Sequence, residues 1–415
     1  MRNIIISANF HPIEGGIQTY MYQIAQNWEL GDSLIICSIE KDEPSCTKKP
    51  FTILRSKKKV VTYPRSVLQM LKHVSKAKIS LNSMKYCALL LINRAIITRI
   101  NDRVSCLLDS LKNNGSSIIQ VSTPLPNGAI GLLGKLIYNI PLITYIHGTE
   151  INKYSQKLST RMLLKFVLRN SDLVVANSNY TKNLVNRFNL EQNKVKVVNL
   201  GANLEDFYPL TINRDFLNNK RVLKNSKILL TISHLVDRKG HDTVIEALSE
   251  LVQKHPQLIY LIVGRGPSKD RLEALVKAKK LNNHVIFVGF VENSKLNSYM
   301  NCCDIFIMPN REEDGDVEGY GIAFVEANAC KKPVIGGKSG GAVDAVLDGK
   351  TGLLVDPYSI AEVRAAINKL VTNESLCQEL GEYGYLRAKN ELNWQCITNK
   401  INKFIKEEVI ERSNI

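Results

Sequence analysis

Ile228-Leu229-Leu230-Thr231-Ile232-Ser233-His234-Leu235-Val236-Asp237-Arg238-Lys239-Gly240-His241 is a short apolar run, a loop with two adjacent cations and a glycine, and then the start of a helical pattern. The run is apolar at nearly every position and does not alternate. That is the pattern of a strand buried on both faces of a parallel sheet. Towards the N-terminus the same unit predicts strands at Asn3–Ala8, Leu34–Ser38, Phe51–Leu54, Ser117–Val121, Leu142–His147, Leu173–Ala176 and Val195–Asn199. Towards the C-terminus it predicts Ile228–Ser233, Ile259–Val263, Val285–Val288, Ile305–Met308, Pro333–Ile335 and Gly352–Val355. Helical patterns separate most of them, so the fold class is α/β with doubly wound parallel sheets. In such sheets ligands meet the carboxyl ends of the strands, where Arg238 and Lys239 stand.

Two series of strands require two sheets. The stretch Asp206–Ser226, with Pro209, several Asn and mixed charges, marks the junction. The expected division is a Rossmann-like domain over 1–208, a second over 209–389, and C-terminal helices over 390–415. Trp394, Ile397, Ile401, Phe404 and Ile405 give those helices one apolar face, expected to pack back on the N-terminal domain.

Composition sets the outer limits. A chain of 415 residues with 44% hydrophobic content can bury two cores, and 23% charged residues is not a disordered composition. The opening Met1–Ile6 reads as a first strand, too short for a secretory signal, and the apolar run around Cys87–Ile92 is too short to span a bilayer. The 9 cysteines show no metal-ligand spacing, so reduced thiols in a cytoplasmic protein are expected. The net charge of +16 is unevenly placed: residues 44–101 hold 13 of the Lys and Arg and no Asp or Glu. Within them Val67, Leu68, Met70, Leu71 and Val74 recur at near-helical spacing beside Lys72, Lys76 and Lys78. That pattern suits an anionic membrane surface; a solvated basic face or a groove for an anionic acceptor are the alternatives, and nucleic acid is not expected.

The densest chemistry lies in Glu318-Gly319-Tyr320-Gly321-Ile322-Ala323-Phe324-Val325-Glu326. A Gly-aromatic-Gly turn enters a helix over Ala323–Ala329, with a carboxylate at each end. Free amides at such a helix start suit anionic or hydroxyl-rich ligands, and each Glu can accept hydrogen bonds from hydroxyls. Asp314-Gly315-Asp316, just upstream, looks like an Asp-x-Asp metal motif. It reads instead as part of the loop leading to Glu318, with no metal and no cofactor expected.

The stretch from Met308 to Pro357 resembles the C-terminal domain of the family 4 glycosyltransferases, whose signature is Glu-x7-Glu. The resemblance implies the GT-B fold: two Rossmann-like doubly wound domains facing a cleft. It implies that Glu318 contacts the donor sugar, that the backbone at Tyr320, Gly321 and Ile322 holds it, and that Glu326 binds the ribose hydroxyls of the nucleotide. Lys239-Gly240 matches the family's Lys-Gly, which implies that Lys239 and Arg238 meet the diphosphate, while His234 stands where the family has Arg. Gly264-Arg265-Gly266-Pro267, Gly15-Gly16 and Lys338-Ser339-Gly340-Gly341 match in family order. His147, before Gly148, matches the histidine that the family places beside the donor sugar.

The implied activity is metal-independent, retaining transfer of a sugar from a nucleotide-sugar, GDP-mannose or a UDP-sugar. The implied acceptor is a lipid-linked glycan in surface polysaccharide assembly (O-antigen, capsule or lipopolysaccharide), worked on at the cytoplasmic face of the plasma membrane. Two other readings keep the same fold: a GT-B enzyme of another class, such as an inverting transferase or a sugar epimerase, and a non-catalytic nucleotide-binding protein.

Overall fold

The computed structural model describes residues 2–7, 16–38, 51–56, 107, 110–111, 117–217 and 221–411. The chain divides into two compact units, Met1–Val198 with Thr398–Ile415, and Asn199–Ile397. The division falls at 198/199, where the sequence pattern placed it at 208/209. The reason is local: the amides of Tyr208 and Leu210 donate to Asn297 Oδ1 (3.2 Å) and Asn301 Oδ1 (2.8 Å), which fixes this connection on the second unit. At the other end Thr398–Ile415 groups with the first unit, where Lys196 pairs with Glu408 and Asn402 Nδ2 donates to the Asn27 carbonyl (3.4 Å).

The first unit holds strands β1 (Arg2–Ile6), β2 (Ser33–Ser38), β3 (Phe51–Ser56), β4 (Ser117–Val121), β5 (Leu142–Ile146), β6 (Leu173–Ala176) and β7 (Val195–Val197). They form one sheet in the order β3-β2-β1-β4-β5-β6-β7, every pair parallel. Its described helices are α1 (Gly16–Gln26), α2 (Asn127–Tyr138), α3 (Thr149–Ser155), α4 (Leu158–Asn170) and α5 (Asn179–Asn186). Strands β4, β5 and β6 are buried along their whole length, as continuous apolar runs require. One polar chain crosses this interior: Tyr145 Oη donates to Gln120 Oε1 (2.5 Å), Gln120 Nε2 to Asn3 Oδ1 (2.8 Å) and Asn3 Nδ2 to Ser33 Oγ (3.2 Å).

The second unit holds β8 (Lys227–Ile232), β9 (Leu258–Val263), β10 (Val285–Gly289), β11 (Ile305–Met308), β12 (Val334–Gly337) and β13 (Gly352–Val355), in the order β10-β9-β8-β11-β12-β13 and again all parallel. Its helices are α6 (His241–Lys254), α7 (Lys269–Ala278), α8 (Asn293–Cys302), α9 (Ile322–Ala329), α10 (Ala342–Ala345), α11 (Ile360–Thr372) and α12 (Glu374–Asn390). Helix α13 (Trp394–Ile405) crosses the division at Ile397/Thr398. Helix α10 ends at Ala345, and the Leu347 amide turns to Thr351 Oγ1 (3.0 Å). The strand order reverses between β8 and β11, so the loops after these two strands flank the switch point where open α/β sheets bind ligands. Among the described residues no helix is long and apolar enough to cross a membrane.

Helix α12 backs α9 at close range. A Cβ placed on Gly381 would lie 2.3 Å from the Lys331 carbonyl oxygen, just past the end of α9. In an exposed helix interior Gly→Ala gains about 1 kcal/mol. Here the steric term should win. Gly381→Ala is expected to lower stability by roughly 1–3 kcal/mol in urea unfolding, as overpacking against backbone does.

Candidate functional site

The loop after β8 is built to hold two cations in place. Asp237–Lys239 makes one 3-10 turn, and Gly240 follows with φ of 72° before α6 starts. A Cβ on Gly240 would stand 2.2 Å from the Pro309 carbonyl oxygen, so both the backbone angle and the space demand glycine. Two backbone bonds fix the loop on its neighbours. Leu235 N donates to Arg265 O (2.9 Å) after β9, and Arg311 N donates to Arg238 O (2.8 Å) after β11.

The loop after β11 supplies the opposing charge. Glu313 and Asp316 exchange both backbone hydrogen bonds (2.9 and 2.8 Å), and Asp314 and Gly315 between them have φ of 50° and 76°. This is the Asp-Gly two-residue turn of tight hairpins. It turns Asp316 towards the β8 loop, where Asp316 Oδ2 accepts from Arg238 Nε (2.9 Å). Glu318 Oε2 accepts from Arg238 Nη1 (2.8 Å) and from Lys239 Nζ.

Three of these charges are mostly withdrawn from water, with Lys239 and Glu318 side chains 12% and 15% exposed, while Asp316 is half exposed. Burial by itself would raise the Glu318 pKa. Lys239 and Arg238 more than reverse that and hold it at about 2. Burial pulls Lys239 below the usual lysine range, against the attraction of Glu318. Arg238 is pushed up, the two carboxylates overcoming its own desolvation.

After Glu318 the chain turns through Gly321, with φ of 86°, into α9, whose first amides have no side-chain cap. Tyr320 is 1% exposed and its hydroxyl has no hydrogen-bond partner among the described residues. Glu326, two turns further along, sits in the opposite environment to Glu318. Burial and then the charge of Asp206 push its pKa up to about 7. A loop carrying fixed cations and an uncapped helix start thus meet at the switch point of one sheet, with Glu326 further along that helix.

The remaining predicted residues are placed as follows. His234 is exposed on the β8 loop. Gly16 opens α1, and Gly15 lies outside the described residues, as does all of segment 44–101 except β3. His147 ends β5 in the first unit, with Nε2 2.9 Å from the Ser122 carbonyl and the Tyr20 ring edge-on at 5.9 Å. Burial lowers its pKa, and because a carbonyl can only accept, Nε2 is the donor, which leaves Nδ1 as the acceptor of the neutral ring. Two supporting residues carry no sequence signal. Arg311 grips Asp242 with two 2.9 Å bonds and Glu313 with a third of 2.9 Å, and Asp237 accepts from Ser268 and Arg271, each at 2.6 Å. Asp316 was expected in the loop leading to Glu318, with no partner assigned. Its carboxylate is engaged by Arg238.

Two Rossmann-ordered parallel sheets, with the charged loops at the switch point of the second, define the GT-B class. Residues 213–387 match the family model described as glycosyl transferases group 1, and residues 89–206 match glycosyltransferase family 4. A GDP-mannose-dependent alpha-(1-6)-phosphatidylinositol monomannoside mannosyltransferase of Mycobacterium tuberculosis is 30% identical over 63% of this chain and 68% of its own length. Its counterpart in Mycolicibacterium smegmatis is 29% identical over 65% of this chain and 71% of its own. Among solved structures, Anabaena Alr3699/HepE in complex with UDP superposes with a TM-score of 0.75 at 18% identity, covering 98% of this chain and 100% of its own. Sucrose-phosphate synthase from Thermosynechococcus elongatus gives 0.75 at 21% identity, covering 98% and 99%. The chain belongs to the family 4 glycosyltransferases. It transfers a sugar from a nucleotide-sugar.

The two glutamates predict opposite stability profiles. The folded pKa of Glu318 is depressed, so its stabilisation is full above the unfolded value near 4.5 and is lost as pH falls towards 2. Glu318→Ala should cost roughly 3–5 kcal/mol at pH 7, because two buried cations lose their main partner, and the deficit should shrink below pH 4. Glu326 is raised, so its ionisation destabilises the fold increasingly from 4.5 to about 7. Glu326→Gln should therefore raise the melting temperature at pH 8, by an amount worth roughly 1–3 kcal/mol, and change it little at pH 5. Denaturation scans across this pH range read both signs.

Proposed function

We propose that the chain is a retaining, metal-independent hexosyltransferase. Its donor is GDP-mannose, with UDP-sugars as the other candidates, and its acceptor is a lipid-linked glycan in surface polysaccharide assembly. It would act at the cytoplasmic face of the membrane. The observation that carries the reading is the charge cluster of Arg238 and Lys239 on Glu318 at the start of α9. The two mycobacterial relatives named above are GDP-mannose-dependent phosphatidylinositol monomannoside mannosyltransferases, which favours that donor and a lipid acceptor.

The departing nucleoside diphosphate gains negative charge as the bond to the anomeric carbon breaks. Arg238 and Lys239, already fixed by the fold, stabilise that charge without reorganising, as do the first amides of α9. Glu318 accepts hydrogen bonds from the sugar hydroxyls while the ring carbon gains oxocarbenium character. The acceptor hydroxyl attacks the face the diphosphate leaves, and a leaving phosphate oxygen takes its proton. No enzyme nucleophile is needed, so none is assigned. Tyr320, Gly321 and Ile322 present backbone to the sugar, and Glu326 accepts from the ribose hydroxyls, best in its ionised form.

Thermal shift against GDP, UDP, ADP, GDP-mannose and UDP-sugars tests the donor. GDP should stabilise the protein selectively, and Lys239→Ala should weaken that binding roughly tenfold or more. Glu318→Gln separates binding from chemistry. Transfer should fall by roughly 10²–10³, while nucleoside diphosphate binds at least as tightly, because a competing carboxylate is gone. An unchanged anomeric configuration in the product and activity in chelator are expected. Stabilisation by no nucleotide would favour the non-catalytic reading, and an inverted product the other GT-B classes.

A further inference from the structure

We propose that the outward face of α3–α4 in the first unit is a docking surface for an anionic membrane. Helix α4 is two-faced. Leu163, Leu164, Val167 and Leu168 are buried in the core of the unit. Leu158, Arg161, Met162, Lys165 and Arg169 fall on the opposite side, within an arc of about 100° at the helical repeat. Leu158 is 74% exposed and Met162 49%, and among the described residues of this unit they are the only large apolar side chains so exposed.

The charges around them are all of one sign. Lys153 on α3 and Lys157 at the start of α4 join Arg161, Lys165 and Arg169, and the only acid over 149–170 is Glu150, which accepts from the His147 amide. None of the five cations has a carboxylate partner among the described residues. Elsewhere several surface cations are paired, Lys135 with Asp172, Lys279 with Glu246, Lys331 with Glu382 and Arg364 with Glu250. Lys254 and Lys277 have no ion pair among the described residues, so what sets this face apart is that its charges share one sign around two exposed apolar side chains. A solvated helix face normally mixes signs, and a face repelling itself this way needs an anionic counterpart.

The two apolar side chains decide which one. On a nucleic acid, Leu158 and Met162 would offer neither a charge for phosphate nor a ring for stacking on bases. At a membrane they enter the boundary between headgroups and acyl chains, while the long stems of the flanking cations reach the lipid phosphates. The surface lies on described residues separate from segment 44–101. It does not depend on the proposed reaction, although a lipid-linked acceptor would explain its use.

The full chain is tested by co-sedimentation with phosphatidylcholine vesicles, with and without phosphatidylglycerol. Wild type should bind only the anionic vesicles, and less as salt rises. Leu158→Glu/Met162→Glu and Arg161→Glu/Lys165→Glu should each weaken binding at least tenfold. Nucleotide thermal shift, read on the same samples, shows that each variant is folded and reports the donor site separately. Failure of wild type to bind, or equal binding by the variants, overturns the proposal. So does a DNA oligonucleotide that binds wild type more tightly than the vesicles and is lost in the same variants.

Discussion

The pairing of Glu318 with Arg238 and Lys239 is the constraint on which the second unit's site depends. These groups come from the two loops on either side of the strand-order reversal, and nothing covalent joins those loops closely. Each charge would be costly to bury alone, and together they are tolerable. The pairing therefore fixes the position of the start of α9 relative to the β8 loop. The Gly240 backbone against Pro309, the Arg311 amide on the Arg238 carbonyl and the Arg311–Asp242 fork all act in the same direction. They leave the two loops one register, and the charges settle into it.

That arrangement has a consequence for a ligand. The cations suited to a diphosphate are already satisfied by a carboxylate. An incoming anion would share Arg238 and Lys239 with Glu318, so part of its electrostatic gain is spent against an existing bond. The geometry gains preorganisation in exchange, because the cations are held in place before the ligand arrives.

The fold was largely legible. Near-continuous apolar runs marked most strands of both sheets, because a strand covered on both faces cannot hide its composition. The exceptions are instructive. Asn3, Gln120 and Tyr145 lie inside those runs and read as local blemishes, yet they form one buried hydrogen-bonded chain across neighbouring strands. Periodicity counts apolar residues along a strand and carries nothing about partners 25 or 117 positions away. The same limit hid Arg311 and Asp242, which are 69 residues apart. Asp316 is a different case. The sequence placed it in the loop leading to Glu318, but only the geometry of the Asp314-Gly315 turn settles where its carboxylate points. The domain boundary shifted because Pro209 and its polar neighbours look like a linker, whereas two Asn side chains on α8 hold that backbone.

Glu318 and Glu326 are eight positions apart on one loop-helix segment, and their environments drive them in opposite directions. Two cations hold Glu318 ionised at any pH the protein meets, whereas Glu326 has only burial and the distant charge of Asp206 acting on it. A permanently charged group can organise cations and hydroxyls without a change of proton count. A group poised near pH 7 takes up or releases a proton as its surroundings change, so any ligand that hydrogen-bonds it shifts that balance. On the proposed reading, ribose hydroxyls donating to Glu326 would favour its ionised form and release a proton, making nucleotide binding tighter above pH 7 than below it. The segment thus divides two tasks between identical side chains by environment alone, and the division follows from which of them the β8 loop can reach.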